Sequence, residues 1–159
     1  MKTALTALAA LILAGTLAGR AAADHPPIDR LFEKARTAAG YSKIIREYLA
    51  ENYALFNDYP QHFQQLNVAS IEARQSSQLA RQFLAEVVNG QQPLSARRAM
   101  IIEQARMAEN AADALERHCR SLKRQADRDD NEQMEQIGRG LRRWADTIED
   151  MSRKIRREL

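Results

Sequence analysis

Between Met134 and Ile155 the large apolar side chains fall at alternating intervals of three and four: Met134, Ile137, Leu141, Trp144, Ile148, Met151, Ile155. On a helix that spacing gathers them into one stripe, and a stripe with no polar interruption must be buried against other helices. Three further segments repeat the pattern. One reads Ile101, Ala105, Ala108, Ala112, Leu115, Cys119, Leu122, Ala126, and another reads Phe63, Leu66, Ser70, Ala73, Ser77, Ala80, Leu84, Val87. The first in chain order reads Ile28, Leu31, Ala35, Ala38, Ser42, Ile45, Leu49, Asn52, Phe56. Ala and Ser line the central stretches of the second and third segments, so their backbones should approach closely there.

Breaks between these segments are few and short. His25-Pro26-Pro27 precedes the first, Asp58-Tyr59-Pro60 separates the first from the second, Asn89 to Pro93 the second from the third, and Asp127 to Asn131 the third from the fourth. Pro60 and Pro93 suit a first helical turn, where a missing N–H costs nothing, and Asn89-Gly90 can end a helix through a left-handed residue. The expectation is an all-α fold with helices over about 28–57, 60–88, 94–126 and 131–158. Short connections make consecutive helices antiparallel neighbours, giving an up-down-up-down four-helix bundle on the order of 45 Å long. A long helical hairpin that dimerises is the alternative. Gly40 either splits the first segment or is tolerated inside it at about 1 kcal/mol.

The N-terminus does not belong to this pattern. Met1-Lys2-Thr3 is a short basic start, Ala4 to Leu17 is an apolar run, and Ala21-Ala22-Ala23 offers the small residues a signal peptidase accepts. Residues 1–23 are read as a signal peptide and 24–159 as the mature domain, periplasmic or secreted. The apolar run falls short of the roughly 20 residues that cross a bilayer, so no stable membrane span is expected after cleavage. A lipid anchor needs a cysteine at the cut, and the single cysteine is Cys119. That lone thiol also cannot form an internal disulfide, so the domain must stand on its core, large enough at this length for one globular unit.

Removing residues 1–23 takes away Lys2 and Arg20 and no acid, so 24 basic and 21 acidic side chains become 22 and 21, a net charge of +1. That balance gives no basis for a nucleic-acid partner. The basic cluster Arg117, Arg120, Lys123, Arg124, Arg128 is interleaved with Asp113, Glu116 and Asp127, as solvated helix faces are. Glu116–Arg120, Arg142–Asp146, Glu149–Arg153 and Asp150–Lys154 have the spacing of pairs within a helix.

Reflecting positions about each loop predicts which residues share a level. One end of the bundle then collects Tyr53, Phe56, Tyr59, His62, Phe63, His118, Cys119, Gly138 and Gly140, and five of the nine aromatic residues lie between Tyr48 and Phe63. These nine positions are the candidate ligand or partner site. Two glycines facing large rings either open a pocket or simply make room for the rings. His62, His118 and Cys119 are of the types that bind transition metals, but adjacent residues point about 100° apart on a helix. Cys119 lies in the apolar stripe and is read as a small buried hydrophobe. No Cys-x-x-Cys-His exists to attach haem, and Met100, Met107, Met134 and Met151 sit at packing positions rather than forming a copper site. No cofactor and no metal is therefore assigned.

No catalytic motif is present: there is no Gly-rich phosphate loop, no Gly-x-Ser-x-Gly and no His-Glu-x-x-His. The chain is read as a non-enzyme. The leading expectation is an exported helical bundle that acts through contact with another protein, or with a copy of itself, in an inhibitor, immunity, adaptor or envelope-stress role. A periplasmic carrier of metal, haem or a small ligand, using the aromatic and histidine end, is the competing expectation.

Overall fold

The computed structural model describes residues 27–159, and the signal peptide read over 1–23 lies outside the described residues. Four helices run over Ile28–Glu51 (α1), Pro60–Val88 (α2), Leu94–Arg128 (α3) and Glu132–Glu158 (α4), with a 3₁₀ turn at Tyr53–Phe56. α1 packs on α2 and α4, and α3 packs on α2 and α4. That is the ring of an up-down-up-down four-helix bundle, in which α2 and α4 lie on one diagonal. Among the described residues there is no strand, and no helix is long and apolar enough to cross a membrane.

The loops obey the local chemistry of their residues. α1 stops six residues before the expected 57, because Asn52 leaves helical geometry and its side-chain amide bonds the Tyr48 carbonyl at 2.8 Å. The chain then tightens into the 3₁₀ turn and delivers Phe56 into the core. At the end of α2, Gly90 takes φ 68°, and Gln91 N–H bonds the Glu86 carbonyl at 2.9 Å. Only a residue without Cβ adopts that conformation freely. α3 runs two residues past the expected 126 and ends similarly, with Asp130 at φ 52° and Asn131 N–H on the Ala126 carbonyl at 2.8 Å. Asn131 then opens α4, its side-chain oxygen accepting from Met134 N–H at 3.1 Å. Gly40 does not split α1, which is continuous across it.

All eight stripe positions of α3 are buried. In α4 the buried line runs through Met134, Ile137, Leu141, Ala145, Ile148, Ser152 and Ile155, so Trp144 and Met151 are displaced to the edge of the seam. A straight helix turns slightly less per residue than a three-four repeat requires, and small Ala145 and Ser152 let the neighbouring helices close over the drifted line. Apolar packing divides into a large cluster toward the α1–α2 and α3–α4 loops and a smaller one around Leu31, Leu84, Ile101 and Ile155. Buried Ser76 and Ser77 of α2 and Ala108 of α3 belong to neither cluster. They form the small-residue waist between them.

Candidate functional site

The short loop after α1 and the tight turn after α3 meet at one end of the bundle. Tyr59, in the first loop, is buried with its hydroxyl beside Asn131 and Asp129 of the second, and burial pushes that hydroxyl above the ordinary phenol range. Phe63 stands edge-on to Tyr53 at 4.8 Å and to Phe56 at 5.4 Å between ring centres. Tyr59 and His62 are 6.4 Å apart. Phe56 is wholly inside, whereas Tyr53 is 60% exposed and covers Phe63 from the solvent side.

His62 and His118 face the same boundary between α2 and α3. Burial holds both below the ordinary imidazole pKa, with His118 as a second cause at His62 and Arg117 as a second cause at His118. Nδ1 of His62 is enclosed without a hydrogen-bond partner. On the solvent side, Asp58, Tyr59, His62, Gln125 and Asp129 border a shallow depression of about 320 Å³. His118 opens into a different one, of about 300 Å³, with Val68, Ala69 and Ala114.

Cys119 turns the other way, into the core. Burial first, then the nearby carboxylates of Asp146 and Glu116, push its thiol up to about 12, so at neutral pH it stays protonated. Gly138 sits against it: a Cβ there would stand 3.3 Å from the Cys119 carbonyl oxygen. The space left by Gly138 is thus filled by the α3 backbone, neither by aromatic rings nor by a pocket. Gly140 is open, with nothing within 4 Å of the same position, and lines a groove of about 300 Å³ with Tyr48, Asn52, Leu55 and Trp144. The nine candidate positions therefore divide among an aromatic cap, a histidine boundary, a close helix contact and a separate groove.

Sequence spacing did not single out a line of ion pairs that fastens α4 to α3. Glu109 receives Arg153 at 3.2 Å and Arg156 at 2.9 Å, and Glu116 receives Arg142 at 2.7 Å and also Arg120. Lys123 reaches Glu135 at 3.4 Å. The expected pairs Glu116–Arg120, Glu149–Arg153 and Asp150–Lys154 form. Arg142–Asp146 does not, because Arg142 crosses to Glu116. Asp146 and Glu149, left close to Glu116, have their carboxyls raised above the ordinary range, by burial first. Carboxylate oxygens of Glu116, Asp146 and Glu149 come within 4.8 Å of one another. Arginines already occupy Glu116 and Glu149, so the cluster is accounted for as part of the helix interface.

The outer side of α2 is built differently. Gln64, Val68, Ile71, Gln75, Gln78 and Gln82 are all exposed and fall at alternating intervals of four and three. They form a second stripe on the back of the helix. Positions of that kind normally carry Lys, Glu or Arg, yet none of the six is charged, and the second and third are aliphatic, with Val68 49% and Ile71 42% exposed. Among the described residues, Glu86 with Arg97 at 2.6 Å is the sole salt bridge made by α2. The sequence carries this signal as a glutamine repeat without charge, on the side of the helix away from its apolar stripe.

No protein-family model, curated protein or solved structure matches this chain.

Proposed function

We propose that the protein is an exported helical bundle that works through protein–protein contact, in an inhibitor, immunity, adaptor or envelope-stress role, and that the outer face of α2 makes the contact. The observation that carries this reading is the exposed, uncharged stripe that includes Val68 and Ile71. A continuous stripe along a helix that exposes aliphatic groups and itself carries no charge loses little on desolvation and gains from burial, which is the balance a docking surface needs. Export is supported by the basic start, apolar run and Ala21-Ala22-Ala23 of the N-terminus.

The test compares the mature chain with a Val68→Glu, Ile71→Glu double variant as immobilised bait for envelope extracts and for the protein itself. A stoichiometric partner held by the parent and lost by the variant is expected. Equal retention by both, or by neither, overturns the reading.

One observation favours a second reading, that of a small-ligand or metal carrier: the enclosed, unpartnered Nδ1 of His62 next to His118. Its test is the absorption spectrum and metal content of the purified chain. Bound metal or a Soret band lost on His62→Ala or His118→Ala would put this reading first.

A further inference from the structure

The outer stripe of α2 specifies more than a sticky face, because its residues are of a kind that satisfy copies of themselves. A glutamine amide carries two donors and an acceptor, so a second amide directly opposite can both give and receive a hydrogen bond, which neither a carboxylate nor an ammonium can do. Four of the six positions are glutamine and the second and third are aliphatic: Gln64, Val68, Ile71, Gln75, Gln78, Gln82. Alternating four-three spacing is that of a coiled-coil seam, here with no helix of its own bundle against it. We propose that this face pairs with the same face of a second copy of the chain, the two α2 helices running parallel about a twofold axis. The proposal rests on the reading of α2 as the contact face and names its partner.

Charge placement chooses the orientation. With α2 beside α2 in parallel, every level meets its own kind: amide on amide at Gln64, Gln75, Gln78 and Gln82, aliphatic on aliphatic at Val68 and Ile71. The residues flanking the seam then pair across it five positions apart. Asn67 lies against Glu72, Arg74 against Leu79, and Arg81 against Glu86, with no like charges together. An antiparallel pair that keeps all six levels places aliphatic against amide. It also sets Glu72 against Glu72 and Arg74 against Arg74 at the axis. Sliding that pair by one heptad relieves the repulsion and sets Val68 against Ile71 and Gln64 against Gln75, but leaves Gln82 beyond the start of the partner's helix at Pro60. A twofold contact uses one patch twice, so the patch must complement itself, and all six positions of this one do so together only in the parallel arrangement.

The test is sedimentation of the mature chain, together with oxidation of a Gln78→Cys variant. Cys119 is buried and its thiol protonated, so it does not compete for the cross-link. A mass twice that of one chain is expected, with Gln78→Cys forming a dimer through its own disulfide, and dissociation at least about tenfold easier for Ile71→Glu. Circular dichroism confirms that Ile71→Glu is folded, as its exposure implies. A parent chain that sediments as a monomer overturns the proposal, as does a dimer indifferent to Ile71→Glu or one in which Gln78→Cys fails to cross-link. A monomer that still captures a foreign protein through Val68 and Ile71 overturns the dimer alone. Failure of both self-association and capture overturns the contact face as well.

Discussion

α2 and α4 are nearly equal in length and lie diagonally across one core, yet they meet water in opposite ways. Close to half of α4 is charged, with Arg139, Arg143, Lys154 and Arg157 on its exposed side, whereas α2 carries charge only at Glu72, Arg74, Arg81 and Glu86. Both bury a full stripe of apolar and small residues. The stripe is what the fold requires, and the difference between the helices lies wholly in what faces outward. α4 is finished as a solvated element, locked to α3 by Glu109 and Glu116. α2 is finished as though water were not its last neighbour.

The sharpest way to break this comparison is to place the same charge on each helix. Ile148 is fully buried in α4 and Ile71 is 42% exposed on α2. An unpaired carboxylate at Ile148 costs several kcal/mol, a large part of what holds a domain of this size together. Ile148→Asp, like Leu141→Asp, is expected to lose its helical circular dichroism or its cooperative melting. Ile71→Asp should alter stability by no more than about 0.5 kcal/mol. Similar melting of Ile148→Asp and the parent would make the seam assignment wrong. Collapse of Ile71→Asp would mean that the outer stripe is part of the folded core.

A smaller effect separates two glycines one turn-edge apart on α4. Gly138 admits the α3 backbone, with the Cys119 carbonyl 3.3 Å from where a Cβ would sit, while Gly140 faces open space. Gly138→Leu is expected to destabilise by about 1–3 kcal/mol through overpacking. Gly140→Ala is expected to stabilise by about 1 kcal/mol, as removal of an interior helical glycine does. Thermal melting should therefore move in opposite directions. Movement in the same direction would mean that the α3–α4 approach is not set at Gly138.

Much of the architecture could be read before any coordinates, because burial leaves a periodic trace. The α3 stripe is the clearest case, every position from Ile101 to Ala126 being inside. The loop reflections likewise brought Tyr53, Phe56 and Phe63 to one level. What periodicity does not carry is direction at the edge of a stripe. Trp144 and Met151 keep the three-four spacing yet lie beside the core, since a few degrees of drift decide between neighbours. Gly138 and Gly140 looked equivalent for the same reason. Arg142 could reach either Asp146 along its own helix or Glu116 across the interface, and only three-dimensional placement favours the second. The outer stripe of α2 leaves a fainter trace in the sequence, because its mark is an absence of charge rather than a presence.

Acid sharpens the contrast between the two helices with the smallest perturbation. α2 supplies His62, whose boundary partner is His118 of α3. Each is held below its ordinary pKa of 6.5, by burial first. The unfolded chain therefore takes up protons near pH 6.5 while the folded chain resists, so stability present above that pH falls as the pH drops below it. α4 has no histidine, and its Asp146 and Glu149 are shifted upward, so the folded chain takes up those protons before the unfolded one does. Their contribution rises as the pH falls toward the carboxylate range. Loosening between pH 7 and pH 5 should thus begin where α2 starts, at the boundary of His62 with His118, and leave the α3–α4 interface closed. Amide exchange at the two pH values, corrected for intrinsic rates, should show loss of protection around Phe63 and Leu66 but not around Leu141 and Ile148. His62→Gln should remove the larger part of that loss. Equal loss in both helices, or loss unchanged in His62→Gln, would mean that acid acts on the bundle as a whole and that its two halves are held alike.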